Sequence, residues 1–143
     1  MNERAVLRRL KDGDTGALSE IIGFYTPYLY AIAANILKGR HIPAYTRLVV
    51  VPASRDVMQE CIAKGYIQDL MDAGATITTP GCGACLGAHE GILAPGEVCI
   101  TSTNRNFPGR MGSTEALMYL ASPATVAASI LNGVITDPRP YLD

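Results

Sequence analysis

Ala75-Thr76-Ile77-Thr78-Thr79-Pro80-Gly81-Cys82-Gly83-Ala84-Cys85-Leu86-Gly87-Ala88-His89 is a short β-prone run that empties into a glycine-punctuated loop holding two thiols at C-x-x-C spacing. Upstream, Arg47-Leu48-Val49-Val50-Val51-Pro52 is a continuous β-branched run, as expected of a strand buried on both faces. Between the two runs, Ser54 is placed to cap a helix through Val57, Met58, Cys61 and Ile62 that closes at Gly65, and residues 66–72 form a second helical piece. A β-α-α-β order predicts a parallel pair joined by a crossover. The thiols then sit at the carboxyl end of a strand, the edge where open α/β sheets usually hold ligands.

Downstream of the loop, residues 97–101 predict a third strand. It leads into the polar stretch Ser102-Thr103-Asn104-Arg105-Asn106-Phe107-Pro108-Gly109-Arg110-Met111-Gly112, and Leu117-Met118-Tyr119-Leu120 predicts a fourth strand. Ser122-Pro123 opens a last helix, with serine at the cap and proline at the first helical position, closing at Asn132-Gly133. Upstream of everything, residues 2–12 suit a short helix and Asp14 or Thr15 caps a second one. That second helix carries Leu18, Ile21, Ile22, Tyr25, Tyr28, Leu29, Ile32, Ile36 and Leu37 near helical spacing, with Pro27 expected to kink or interrupt it. The expected architecture is α/β: a three-layer domain with a mostly parallel sheet of about four strands, at residues 38–143, preceded by an N-terminal helical hairpin at residues 1–37.

With 143 residues the chain is long enough for one ordinary core, and 48% hydrophobic against 17% charged residues is a globular balance. A formal net charge of −1 argues against direct nucleic-acid binding despite the cluster Arg4, Arg8, Arg9 and Lys11. No apolar run approaches the ~20 residues of a membrane span, and charges occupy the place of a signal peptide's apolar core. The expected location is the cytoplasm, where a structural disulfide is disfavoured. The four cysteines, Cys61, Cys82, Cys85 and Cys99, are then read as metal ligands, redox groups or packed thiols.

Thiols two residues apart on a turn can grip one iron or zinc ion, or one corner of an iron–sulfur cluster, and the same spacing serves dithiol redox sites. Arg105 and Arg110 place two guanidinium groups on one turn, and guanidinium forks pair bidentately with carboxylates. A di- or tricarboxylate beside a metal would suit them, and surface pairing with nearby acids is the alternative.

Larger blocks of sequence narrow these options. Leu37-Lys38-Gly39-Arg40, Val51-Pro52-Ala53-Ser54-Arg55, Pro80-Gly81-Cys82-Gly83-Ala84-Cys85-Leu86-Gly87-Ala88-His89, the Asn104-Arg105-Asn106-Phe107-Pro108-Gly109-Arg110 loop, Tyr119-Leu120-Ala121-Ser122-Pro123-Ala124-Thr125 and Thr136-Asp137-Pro138-Arg139 together resemble the C-terminal part of large subunits of isopropylmalate dehydratases and homoaconitases, in the aconitase superfamily. The resemblance implies a [4Fe–4S] cluster acting as a Lewis acid on a hydroxy-dicarboxylate substrate, with a separate small swivelling subunit as partner. It implies Cys82 and Cys85 as two of three cluster thiolates, Arg105 and Arg110 as substrate-binding residues, and Asn104 near the cluster. The family's third thiolate lies in a G-S-C-T-N-G-R loop just upstream of the matching segment, and no such loop stands here. Cys61 and Cys99 are expected to be packed thiols, His89 a polar neighbour of the loop, and His41 without a role. The resemblance therefore implies an incomplete site with little or no turnover in the isolated chain.

Residues 1–37 resemble something else. Leu7-Arg8-Arg9-Leu10-Lys11-Asp12-Gly13-Asp14, Tyr25-Thr26-Pro27-Tyr28-Leu29-Tyr30-Ala31-Ile32-Ala33 and Ile36-Leu37 are similar to the opening of region 2 of small sigma-70-family factors. On that resemblance the chain is a chimera, and the alternative function is a protein-binding module whose helical head docks on RNA polymerase. The apolar stripe over residues 18–37 is expected to cover surface left by domains that the chain lacks.

Overall fold

The computed structural model describes residues 1–86, 90–103 and 107–142 of the chain. Helix α1 (Glu3–Lys11) is capped by the Asn2 side chain, and α2 (Thr15–Leu37) by Asp14, whose carboxylate accepts from the Gly16 N–H at 2.9 Å. Arg9 ties the hairpin together, its guanidinium meeting Asp14 at 2.8 Å and Glu20 at 2.7 Å. One member of the basic cluster is thereby neutralised within the hairpin.

Pro27 does not interrupt α2, which runs unbroken from Thr15 to Leu37 with Pro27 buried inside it. A mid-helix proline costs about 3 kcal/mol, so packing must hold the helix together across it. That packing comes from the following turns. Ala34, Ile36 and Leu37 are buried with Leu70, Ala73 and Ala127, where α2 meets α4 (Tyr66–Asp72) and α5 (Pro123–Asn132). The first half fares differently. Only Ala17 and Pro27 are buried before Ala34, and Leu18, Ile22, Phe24, Tyr28 and Leu29 are exposed. The expected cover by the stripe over residues 18–37 is therefore confined to its carboxyl-terminal part.

The β-α-α-β unit forms as expected. Strand β1 (Val49–Val50) leads through α3 (Arg55–Ala63) and α4 to β2 (Thr76–Ile77), which pairs with β1 in parallel. Ser54 caps α3 by accepting from the Val57 N–H at 3.2 Å. Strands β3 (Val98–Thr101) and β4 (Leu117–Leu120) form a second parallel pair. The class is α/β, and among the described residues four parallel strands stand at the expected places, divided into two two-stranded pairs rather than joined in one sheet. A cleft of about 670 Å³ is lined by Val49 of β1, by residues of β3 and by Val126 and Ile130 near the end of the chain. Ser122 caps α5, accepting from the Thr125 N–H at 3.1 Å with Pro123 at the first turn, and Gly133 ends the helix in a left-handed conformation. Among the described residues, no helix is long and apolar enough to cross a membrane.

Candidate functional site

The thiol loop is anchored at the carboxyl ends of β1 and β2. The Thr78 N–H donates to the Val50 carbonyl at 3.0 Å, and the Gly81 N–H to the carbonyl of buried Pro52 at 3.1 Å, which carries the parallel pairing past the strand ends. The chain then tightens into a 3-10 turn at Gly83–Leu86. Gly83 has φ +60°, and a Cβ there would stand 2.6 Å from Val51 Cγ2, so glycine alone lets the loop lie against the end of β1. Within this turn Cys82 and Cys85 have Cα atoms 5.7 Å apart and their sulfurs joined as a disulfide. A bonded pair differs from the free thiols expected of a reducing compartment. In either state the loop aims both sulfurs at one point. Cys85 is buried, and Cys82 lies on the wall of the cleft.

The arginine turn is brought to the same place. The Arg110 N–H closes the turn on the Phe107 carbonyl at 3.0 Å, and the guanidinium carbon lies 5.8 Å from the centre of the Phe107 ring. Arg110 Nε donates to the backbone carbonyl of Cys85, a contact across 25 residues of sequence. A charged donor on a half-buried carbonyl is among the stronger neutral-acceptor bonds. The turn is also clamped from the far side. The Leu93 N–H donates to the Met111 carbonyl at 2.8 Å, and the Ser113 N–H to the Leu93 carbonyl at 2.9 Å. Gly112, at φ +123°, fits that bridge because a Cβ would sit 2.3 Å from the Leu93 oxygen. Leu93, Met111 and Ala116 form a small core beneath, against Ala84, Cys99 and Met118.

Cys82 and Cys85 are thus side by side, and Arg110 is tied to their loop through the Cys85 backbone carbonyl. Asn104 and Arg105, and likewise His89, lie outside the described residues. At the entrance of the arginine loop, the Thr101 hydroxyl accepts from the Thr103 N–H at 3.2 Å and lies 3.0 Å from the Thr103 hydroxyl, a local turn that bends the chain off β3.

Neither remaining thiol joins the pair as a third donor. Cys61 is fully buried among Val57, Ile67, Tyr30, Tyr66 and Ile77, and burial is the main cause that pushes its thiol pKa up. Cys99 is half-buried on β3, its pKa likewise raised mainly by burial, with Arg47 opposing and Glu97 adding to the rise. His41 is exposed. Among the described residues no group of three or more His, Cys, Asp or Glu side chains is placed to hold a metal ion. The donors among the described residues fit two corners of a cluster.

One supporting contact is not legible in the motifs. The Tyr30 hydroxyl of α2 donates to the Val51 carbonyl at 2.6 Å, fixing the end of β1 from which the loop hangs. Burial, followed by the nearby Cys61, pushes the Tyr30 pKa up to about 12. A tyrosine within an apolar helical stripe is the only signal of it in the sequence.

The chain is similar to known proteins over most of its length. Residues 28–133 match the family model described as "Aconitase family (aconitate hydratase)". The chain is 59% identical over 108 residues to the 3-isopropylmalate dehydratase large subunit of Mycolicibacterium smegmatis, covering 76% of this chain and 26% of that protein. It is 54% identical over 111 residues to 3-isopropylmalate dehydratase large subunit 1 of Methanopyrus kandleri, covering 78% and 27%. It is also 54% identical over 107 residues to the homoaconitase large subunit of Thermus thermophilus, covering 75% and 26%. The chain thus spans about a quarter of the length of the curated relatives it matches. The family match starts inside α2, just after Pro27, and leaves residues 1–27 outside it. With three quarters of its length inside the family model, and relatives more than 50% identical over that stretch, the chain belongs to the aconitase family.

Proposed function

We infer that this chain carries one part of an iron–sulfur hydro-lyase site of the kind that dehydrates and rehydrates isopropylmalate or a similar hydroxy-dicarboxylate. The observation that supports the reading most is the bond from Arg110 to the Cys85 carbonyl, which ties the arginine turn to the loop that carries the two paired sulfurs. Reduced, Cys82 and Cys85 would hold two corners of a [4Fe–4S] cluster, and such a cluster supplies Lewis acidity toward a hydroxyl and a carboxylate. Arg110 and Arg105 would pair with substrate carboxylates, with Asn104 beside them. A third thiolate is not among the described residues, so no turnover step is assigned to the isolated chain. A small subunit of the heteromeric enzyme is the expected partner, and the reducing cytoplasm the expected setting.

The test is a hydratase assay on the purified full chain after reconstitution with iron and sulfide under reducing conditions, with and without a dehydratase small subunit. No turnover is expected from the chain alone. Turnover by the chain alone that Cys82→Ser abolishes would overturn the incomplete-site reading.

A second reading concerns the head. Residues 1–27 fall outside the family match and expose Leu7, Leu18, Ile22 and Phe24, which favours a protein-binding role for the sigma-like segment, with RNA polymerase as the partner to test. In that reading residues 1–37 are the helical head and 38–143 the aconitase-like domain. Because Ala34, Ile36 and Leu37 belong to the core, deleting residues 1–37 would unfold the protein. Leu18→Glu with Ile22→Glu is the usable variant: co-precipitation with core polymerase that this pair abolishes supports the reading, and no co-precipitation by the unmodified chain refutes it.

A further inference from the structure

The backbone that carries Cys82 and Cys85 is held by contacts that do not involve sulfur. Just before the first thiol, the Gly81 N–H donates to the Pro52 carbonyl at 3.1 Å, and the Cys85 N–H donates back to the Cys82 carbonyl at 3.3 Å. Arg110 Nε holds the Cys85 carbonyl from the arginine turn, and Gly83, left-handed at φ +60°, lies against Val51. The Cα–Cα separation of 5.7 Å falls in the commonest range for a disulfide. A bridge over two intervening residues constrains little of the unfolded chain. Its formation therefore rests on the folded geometry of the loop, and none of the contacts that set this geometry needs the S–S bond.

The two sulfurs differ in access. Cys82 is exposed and lies on the wall of the cleft, whereas Cys85 is buried. Thiol–disulfide exchange begins where an attacking thiolate and a disulfide can meet. That requirement selects Cys82 for the first step and leaves Cys85 to resolve it from within. The other two thiols stand apart from the pair and are free, Cys61 in the core between α3 and α4 and Cys99 on β3.

We propose that the Cys82–Cys85 pair is a reversible thiol–disulfide switch, driven by small disulfides of the glutathione class, that opens and closes the loop to metal. In closing, the Cys82 thiolate attacks one sulfur of glutathione disulfide, the S–S bond of that molecule breaks, and one glutathione leaves as its thiolate. The Cys85 thiol then gives its proton to water, and its sulfur attacks the Cys82 sulfur and expels the second glutathione. The pair gives up two electrons and two protons, and one glutathione disulfide becomes two glutathione thiols. Excess thiol runs both steps backward. Metal binds the thiolate form, so the closed loop offers iron no sulfur ligand and the open loop offers two. Disulfides that form in a reducing compartment are usually transient and catalytic or redox-sensing, and a switch is of that kind. The metal half of the proposal rests on the hydro-lyase reading, and the pairing does not.

The pairing is tested on the metal-free full chain, equilibrated without oxygen in glutathione buffers, quenched in acid, denatured, labelled with a maleimide and weighed intact. As glutathione disulfide is raised, four labels should fall to two in one step, with no glutathione adduct retained. Cys85→Ser should accumulate one glutathione on Cys82, and Cys82→Ser should accumulate about ten-fold less because Cys85 is buried. The oxidised chain offered iron and sulfide should bind about ten-fold less iron than the chain first reduced with dithiothreitol. Four labels in every buffer, a lasting glutathione adduct on the unmodified chain, equal adduct on Cys82→Ser, or equal iron in the oxidised and reduced chains at a measurable level overturns the proposal. Iron bound by neither form counts against the hydro-lyase reading alone, and the label count still decides the switch.

Discussion

Residues 15–29 and 30–37 of α2 both carry apolar side chains near helical spacing, yet Leu18, Ile22 and Phe24 are 48%, 50% and 52% exposed while Ala34, Ile36 and Leu37 are at most 2% exposed. The difference lies in the neighbours. The second half is buried with Leu70, Ala73 and Ala127 of α4 and α5 and reaches β1 through Tyr30, whereas the polar ties of the first half run to α1, through Arg9 and through the Tyr25 hydroxyl donating to Glu3. Helical periodicity reports which side chains can share a face. Burial of that face depends on what the rest of the chain brings to it.

The sharpest way to break this contrast is Leu37→Ala. Emptying a fully buried leucine site should cost about 3 kcal/mol, seen as a lower urea midpoint with an unchanged slope, and a loss under about 1 kcal/mol would mean the half-helix is not part of the core. Gly112→Ala should come next, at about 2 kcal/mol, because the φ of +123° and the clash with Leu93 act together to push the arginine turn off its clamp. A neutral Gly112→Ala would show the Leu93 bridge to be dispensable.

Tyr30→Phe should cost about 1 kcal/mol by leaving the Val51 carbonyl without its donor. Its pH signature is separate. Burial pushes Tyr30 up to about 12 in the folded chain, above the ordinary tyrosine value of 10.0, so the unfolded chain loses its proton first. The stabilisation is whole below about pH 10 and falls away as pH rises through 12. Denaturant midpoints measured between pH 9 and 12 should fall more steeply in the native chain than in Tyr30→Phe, and equal slopes would contradict the assignment. Smallest of all, Leu18→Ser and Ile22→Ser should each change stability by less than about 0.5 kcal/mol, and a loss comparable to that of Leu37→Ala would mean the first half is covered after all.

Much of this arrangement is legible in the sequence because the signals are local. Ser54 and Ser122 cap the helices they precede, the β-branched run at 47–52 contains β1, and Leu117-Met118-Tyr119-Leu120 is β4 residue for residue. C-x-x-C spacing on a glycine turn likewise puts Cys82 and Cys85 together. What composition and spacing do not carry is long-range. The continuity of α2 through Pro27 depends on packing supplied by α4 and α5. The division of the strands into two pairs depends on which edges meet, and alternation within one strand holds no record of its neighbour. The Arg110–Cys85 bond spans 25 residues, and no local spacing records it.

The central claim, that the Cys82–Cys85 loop is two corners of a cluster-binding set, meets its most direct test in iron and sulfide content together with the visible absorbance of the full chain, reduced and reconstituted without oxygen. Brown protein with bound iron and sulfide, both lost in Cys82→Ser and in Cys85→Ser and retained in Cys61→Ser, is the predicted result. Colourless protein free of iron, or iron retained when Cys82 and Cys85 are both replaced, would contradict it.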